Sequence, residues 1–231
     1  AVCRRLLDLD DDAVARPAPT DVLGVLADDP ALRPLVERAP GQRLPRTVDA
    51  QELAVRTVLG QQVSTAAART LAHRLLLAHG AELPGDPEGG LTHVWPSAQR
   101  LTALDETSLG MPATRRRTLV TLVRALAEGQ VDLSPQTDLG TVRSQLTELP
   151  GIGPWTVELV ALRGLGDLDS FPVTDLGVRR AAESLGLPSA SGSLTRHAER
   201  WRPYRAYAVQ YLWSTLDHEV NRDWRAAGGP A

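Results

Sequence analysis

The residues best placed to do chemistry lie at 149–156, where the chain reads Leu149-Pro150-Gly151-Ile152-Gly153-Pro154-Trp155-Thr156. Upstream, Leu139, Val142, Leu146 and Leu149 recur at helical spacing; downstream, Trp155, Leu159, Val160 and Leu162 do the same. Pro150-Gly151 breaks the first helix and Gly153-Pro154 opens the second. Gly151 and Gly153 flank a single apolar residue, so the turn can be very tight and another backbone can come close. The first amides of the second helix have no intrahelical acceptor and sit at the positive end of its dipole. That suits an anion, and a phosphate diester is a good candidate. An ordinary corner between two helices accounts for the same eight residues. A second group is the acid Asp175, in Phe171-Pro172-Val173-Thr174-Asp175-Leu176-Gly177-Val178-Arg179-Arg180. Taken alone it reads as a helix cap, a common role for Asp. The five histidines show no metal-ligand spacing with Cys, Asp or Glu, and there is neither a P-loop nor a dinucleotide fingerprint. We expect no catalytic metal and no required cofactor.

Hairpin and acid together resemble the helix-hairpin-helix DNA glycosylase superfamily, whose members place an Asp some twenty residues after the hairpin. From Leu44 to Trp213 the chain is similar to the AlkA-type branch, the 3-methyladenine DNA glycosylases II. Three further blocks carry the likeness in the same order: Val55-Arg56-Thr57-Val58-Leu59-Gly60-Gln61-Gln62-Val63-Ser64, Leu109-Gly110-Met111-Pro112 and Trp201-Arg202-Pro203-Tyr204-Arg205-Ala206-Tyr207-Ala208. The resemblance implies a monofunctional DNA glycosylase in base excision repair. It would hydrolyse the N-glycosidic bond of alkylated bases, the 3-methyladenine and 7-methylguanine class, in double-stranded DNA and leave an abasic site. A non-catalytic helix-hairpin-helix module that binds lesions is the alternative; Asp175 kept together with two pocket tryptophans argues against it. A glycosylase for deaminated or oxidised bases would need more hydrogen bonding to a neutral base and more help for the leaving group.

The resemblance assigns roles residue by residue. Asp175 matches the catalytic acid: a fixed carboxylate stabilises the oxocarbenium-like sugar and can orient or deprotonate water. Capping and catalysis can coexist there. Trp155 and Trp213 match aromatic positions of the base pocket, where indole faces attract a cationic alkylpurine by roughly 0.5–2 kcal/mol per contact. Tyr211 is grouped with that pocket, with core packing as the competing reading. Leu159 stands where the family often has an aromatic residue, a departure that bears on pocket width. Gln62 matches the wedge that fills the gap left by a flipped base; AlkA-type enzymes can carry Leu there, so a polar wedge is a departure, and a turn glutamine flanking a helix is the plain alternative. Gly151, Gly153 and Thr156 match the phosphate-holding part of the hairpin. The carbonyls of Thr147, Leu149 and Ile152 match those that hold a monovalent cation. Arg115, in the run Arg115-Arg116-Arg117 capped by Thr114, is a candidate for the DNA backbone, a solvated face being the plain alternative.

Composition sets limits. The chain of 231 residues is ample for one or two compact domains. Its one cysteine, Cys3, excludes an internal disulfide framework and a Cys-ligated iron–sulfur cluster. No apolar run spans a membrane and there is no signal peptide, so a cytoplasmic monomer is expected. The net charge of −3 argues mildly against a DNA binder, although amides and helix ends hold phosphates without cationic side chains. All 25 cationic Lys and Arg positions are Arg. Trp155 occupies the place where bifunctional members of the superfamily carry a lysine that attacks the sugar. In a chain without lysine that lyase chemistry is unavailable, and water is the expected nucleophile.

These groups must be held by helices. The patterns predict helices over 20–27, 30–38, 50–59, 65–79, 97–103, 114–128, 176–185, 193–201 and 204–217, besides the two flanking the hairpin. Asp49, Ser64 and Thr20 or Asp21 are the expected caps, and Pro203 is expected in the first turn of the last helix. No strand is expected. The fold is therefore expected to be all-α. By resemblance, 50–167 forms one helical subdomain and 20–49 with 168–231 the second, the active site lying in the cleft between them. Residues 1–19, beginning without Met and with Asp10, Asp11 and Asp12 in their midst, are expected to be a solvated connector from a missing amino-terminal sheet domain.

Overall fold

A computed structural model describes residues 2–9, 19–85, 90–104 and 109–216. The fold is all-α. Two compact units emerge, Asp49–Leu165 and Ala1–Val48 with Gly166–Ala231.

The unit of 49–165 contains α4 (Ala50–Leu59), α5 (Thr65–His79), α6 (Ala98–Leu101), α7 (Ala113–Ala127), α8 (Leu139–Thr147) and α9 (Pro154–Val160). Short polar side chains start several of them. Asp49 accepts from the Gln51 and Glu52 amides, Ser64 from Ala67, Ser97 from Arg100 and Asp138 from Thr141. Each satisfies amides that the helix itself leaves without an acceptor, worth about 1 kcal/mol. Helix α7 starts differently from expectation: Pro112 takes the cap position without a side-chain bond, and Thr114 lies inside the helix. Proline fixes its own φ at the helix entrance, and its carbonyl takes the Arg116 amide at 3.0 Å. The core is built on Val58, Leu59, Leu119, Leu122, Leu146 and Val160, all essentially inaccessible. Arg143 on α8 grips both oxygens of Glu158 on α9 at 3.1 Å, a planar fork that braces the two hairpin helices. Beyond α9 the chain widens into a single π turn, Ala161–Leu165. A Cβ on Gly164 there would approach that of Ala50 to 3.3 Å, so the glycine lets the turn lie against the start of α4.

One expectation fails in the loop after α5. Ala81–Glu82 and His93–Val94 pair antiparallel as β1 and β2. Two residues per strand are too few to leave an alternating pattern in the sequence.

The second unit holds α1 (Val2–Leu6), α2 (Pro19–Ala27), α3 (Arg33–Arg38), α10 (Leu176–Ser184), α11 (Ser191–Ala198) and α12 (Arg205–Ser214). Its centre is Trp201, fully buried on a short 3-10 turn, Glu199–Trp201, with Phe171 edge-on at 5.8 Å. Asp29, buried in the turn before α3, accepts the Trp201 indole N–H at 2.9 Å and pairs with His197 at 2.6 Å. That turn explains why α3 begins at Arg33 rather than at 30: Asp29 also takes the Ala31 amide at 3.0 Å.

Residues 2–9, expected to belong to a connector, are part of this unit. Asp8 is buried and accepts from the Leu44 amide and the Tyr207 hydroxyl. Asp10, Asp11 and Asp12 lie outside the described residues. The last helix also starts later than expected. Tyr204 holds the cap position and Arg205 is the first helical residue, so Pro203 lies in the preceding turn, which the Tyr204 amide closes onto the Trp201 carbonyl at 2.8 Å.

Candidate active site

In the unit that carries Asp175, the segment 167–175 is tied to the start of α12 before it reaches the acid. Arg205 donates to both oxygens of Asp169, at 2.8 and 2.9 Å, and the Ala206 amide donates to the Leu168 carbonyl at 2.9 Å. Pro172 then turns the chain, and the Asp175 amide closes on its carbonyl at 2.8 Å. Asp175 caps α10: its Oδ1 accepts the Val178 amide at 2.9 Å. The same oxygen accepts the indole N–H of Trp213 on α12 at 3.0 Å. The cap and the proposed catalyst are thus one residue, and the acid is oriented by a backbone amide and an indole together. Gly177 makes room for this. A Cβ on it would stand 3.0 Å from Asp175 Oδ1 and 3.3 Å from Trp213 Cδ1.

Tyr211 does not share the half-open setting of Trp213. It is 1% exposed and its hydroxyl donates to the Ala39 carbonyl at 2.9 Å, while burial pushes its pKa up to about 12. At that burial the ring is a core anchor with no face open to a base. Leu176, which directly follows Asp175, is 64% exposed.

In the other unit the hairpin has the anticipated tight turn. Gly151 adopts φ +85°, the region that favours glycine, and Ile152 closes the turn by donating to the Leu149 carbonyl at 3.1 Å. That bond uses one of the three carbonyls, of Thr147, Leu149 and Ile152, expected to hold a cation. Among the described residues there is no cluster of three or more His, Cys, Asp or Glu side chains suited to a metal. Gly153 caps α9, and Trp155 and Leu159 follow one turn apart, both half-buried. Thr156 is buried, and its hydroxyl accepts from the Gln61 side chain at 3.1 Å. Any phosphate contact by Thr156 therefore falls to its backbone. Arg115 is half-buried and donates to the Gln61 carbonyl. Gln62 is exposed with φ +56°.

A helical chain with a glycine hairpin between two helices, and an aspartate opening a later helix, is a helix-hairpin-helix protein. No family model matches the chain. The "Probable bifunctional transcriptional activator/DNA repair enzyme AlkA" of Mycobacterium tuberculosis is 51% identical over 222 residues, which are 96% of this chain and 43% of that protein. DNA-3-methyladenine glycosylase 2 of Escherichia coli is 37% identical over 188 residues, 80% of this chain and 64% of its own length. Among solved structures, the 3-methyladenine DNA-glycosylase from Archaeoglobus fulgidus superposes with a TM-score of 0.73 at 25% identity, covering 92% of this chain and 72% of that one. The chain belongs to the AlkA-type branch of the helix-hairpin-helix DNA glycosylases. It spans about half the length of the first of these relatives and under two thirds of the second.

Proposed function

We propose that this chain is the catalytic part of a monofunctional DNA glycosylase that hydrolyses the N-glycosidic bond of alkylated bases in duplex DNA and leaves an abasic site. The observation that carries the reading is Asp175 Oδ1 held by both the Val178 amide and the Trp213 indole. A structural cap needs only the first of these bonds. The second fixes the carboxylate beside an electron-rich ring, the pairing that a cationic base on an ionising sugar calls for.

The chemistry follows from charge. Methylation at a purine ring nitrogen makes the base cationic and a good leaving group, so little acid assistance is needed. As the bond stretches, positive charge moves to the sugar, and the Asp175 carboxylate stabilises it while orienting or deprotonating water. Trp213 and Trp155 supply indole faces that favour the cationic base. Gln62 fills the place that the flipped nucleotide leaves, and its amide can hydrogen-bond the orphaned partner. The hairpin at Gly151 and Gly153 holds the backbone through main-chain amides. The carbonyls of Thr147, Leu149 and Ile152 would hold a monovalent cation that strengthens this grip. We read the protein as a cytoplasmic monomer. No helix among the described residues is long and apolar enough to cross a membrane.

The test is release of free base from methylated duplex, with identification of the bases. Asn at 175 keeps an oxygen for both Val178 and Trp213. Asp175→Asn is therefore expected to fold and melt like the wild type while base release falls by about 10²-fold or more. Near-wild-type release by that variant overturns the assignment.

A further inference from the structure

Three elements of the 49–165 unit meet at Gln61. Its side-chain amide donates to the Gly151 carbonyl at 3.2 Å and to the Thr156 hydroxyl at 3.1 Å. Its own carbonyl accepts from the Arg115 guanidinium. Gln61 is therefore held at both ends, by the hairpin through its side chain and by α7 through its backbone. Helix α7 also meets the hairpin directly. Thr118, one turn after Arg115, lies so close under Gly151 that a Cβ there would come within 1.9 Å of its hydroxyl oxygen. The next residue, Gln62, stands exposed in the left-handed region at φ +56°. A residue with a Cβ stays in that region only where its surroundings over-determine it. Here the determinants are the locked Gln61 before it and the capped start of α5 just after it.

We infer that Gln61 and Arg115 are positioning residues. They fasten the turn that carries Gln62 to the hairpin, so that the grip on the DNA backbone and the wedge move as one rigid piece. This rests on the proposed function, in which the hairpin holds phosphate and Gln62 fills the gap in the stack. Unstacking a base costs free energy that backbone contacts elsewhere must offset. That energy acts at the stack only if the wedge does not yield against its support. The inference also gives Arg115 a different task from phosphate binding: it holds a carbonyl.

Hydrogen exchange in the free protein gives the first readout. In Gln61→Ala the hairpin amides from Gly151 to Thr156 should exchange about tenfold faster, since the turn loses two of its supports. Gln61→Glu has the same shape but puts acceptors where the donors were, and should match it; a packing role alone would leave Gln61→Glu near wild type. Arg115→Ala, which leaves the Gln61 side chain in place, is a second route to the same loosening.

The second readout is single-turnover release of 7-methylguanine from duplex and from the same strand unpaired. The Gln61 variants should lose about tenfold on duplex and little on single strand, the same pattern expected of Gln62→Ala. Gln61→Ala with Gln62→Ala should be no worse than either alone, because both disable one step. Unchanged hairpin exchange, equal loss on the two substrates, or multiplying effects of the two variants each overturn the inference. If the wild-type chain releases no base from either substrate, the proposed function falls. The exchange data then decide the lock alone: it stands if exchange is faster in the variants and falls if it is unchanged.

Discussion

Asp175 Oδ1 takes two hydrogen bonds, and one comes from a ring proposed to meet the base. Trp213 therefore has two separable effects, orientation of the acid by its N–H and attraction of a cation by its face. Trp213→Phe removes the first and keeps part of the second. The variant should fold with a stability loss of about 1 kcal/mol, the scale of one hydrogen bond. Its release of 7-methylguanine from methylated duplex should slow by roughly tenfold in kcat with KM little changed, since the acid loses its N–H partner while an aromatic ring stays in place. A loss seen mainly in KM would assign the effect to the ring face instead. The neighbouring Gly177 is constrained for the same reason, because a methyl group there would press on both the carboxylate and the indole.

Among the elements, the hairpin and the Asp29 turn show what local sequence can and cannot carry. Gly151 needs its identity twice over, for φ +85° and for the seat against Thr118. Gly151→Ala is expected to cost about 1–3 kcal/mol from the backbone alone, with more from the clash, read as a lowered urea midpoint. Caps such as Asp49, Ser64 and Asp175 were legible because cap and amide lie within three residues of each other. Thr114 was misread because a hydroxyl near a helix start is common whether or not it caps. Asp29 carried no signal, since its partners His197 and Trp201 are 168 and 172 residues away. Burial opposes the charge on Asp29, but the Ala31 amide, the His197 and Trp201 bonds and the charge of His197 together hold its carboxyl below the usual 3.8. A carboxylate so depressed adds stability that is present at neutral pH and lost as pH falls below about 4, through its folded value. Asp29→Asn should be less stable than wild type by about 1–3 kcal/mol at pH 7, with the gap closing in more acidic buffer. A gap that stays constant in urea titrations from pH 7 to pH 3 would remove ionisation from the account.

For the whole molecule, the proposed water nucleophile rests on 231 residues that contain no lysine. Incubation of the protein with methylated duplex and borohydride should trap no adduct through a side chain, whereas a lysine nucleophile would leave one. The core of each unit was legible through helical periodicity. The hydrogen bonds of Tyr211 and Arg115 were not, because their acceptors, the Ala39 and Gln61 carbonyls, are backbone atoms that carry no sequence signature. The division of the chain has its own consequence during synthesis. Residues 49–165 form one continuous stretch, while the other unit draws on segments from both sides of it. Translation therefore delivers the hairpin unit complete and able to close on the ribosome, at a few to some twenty residues per second. The early helices, with Leu26 and Leu32, must wait with their apolar sides open until Trp201 emerges. That interval is when a chaperone would find this chain, and a stalled nascent chain ending before residue 201 should protect the hairpin from protease while leaving residues 20–48 open to cleavage.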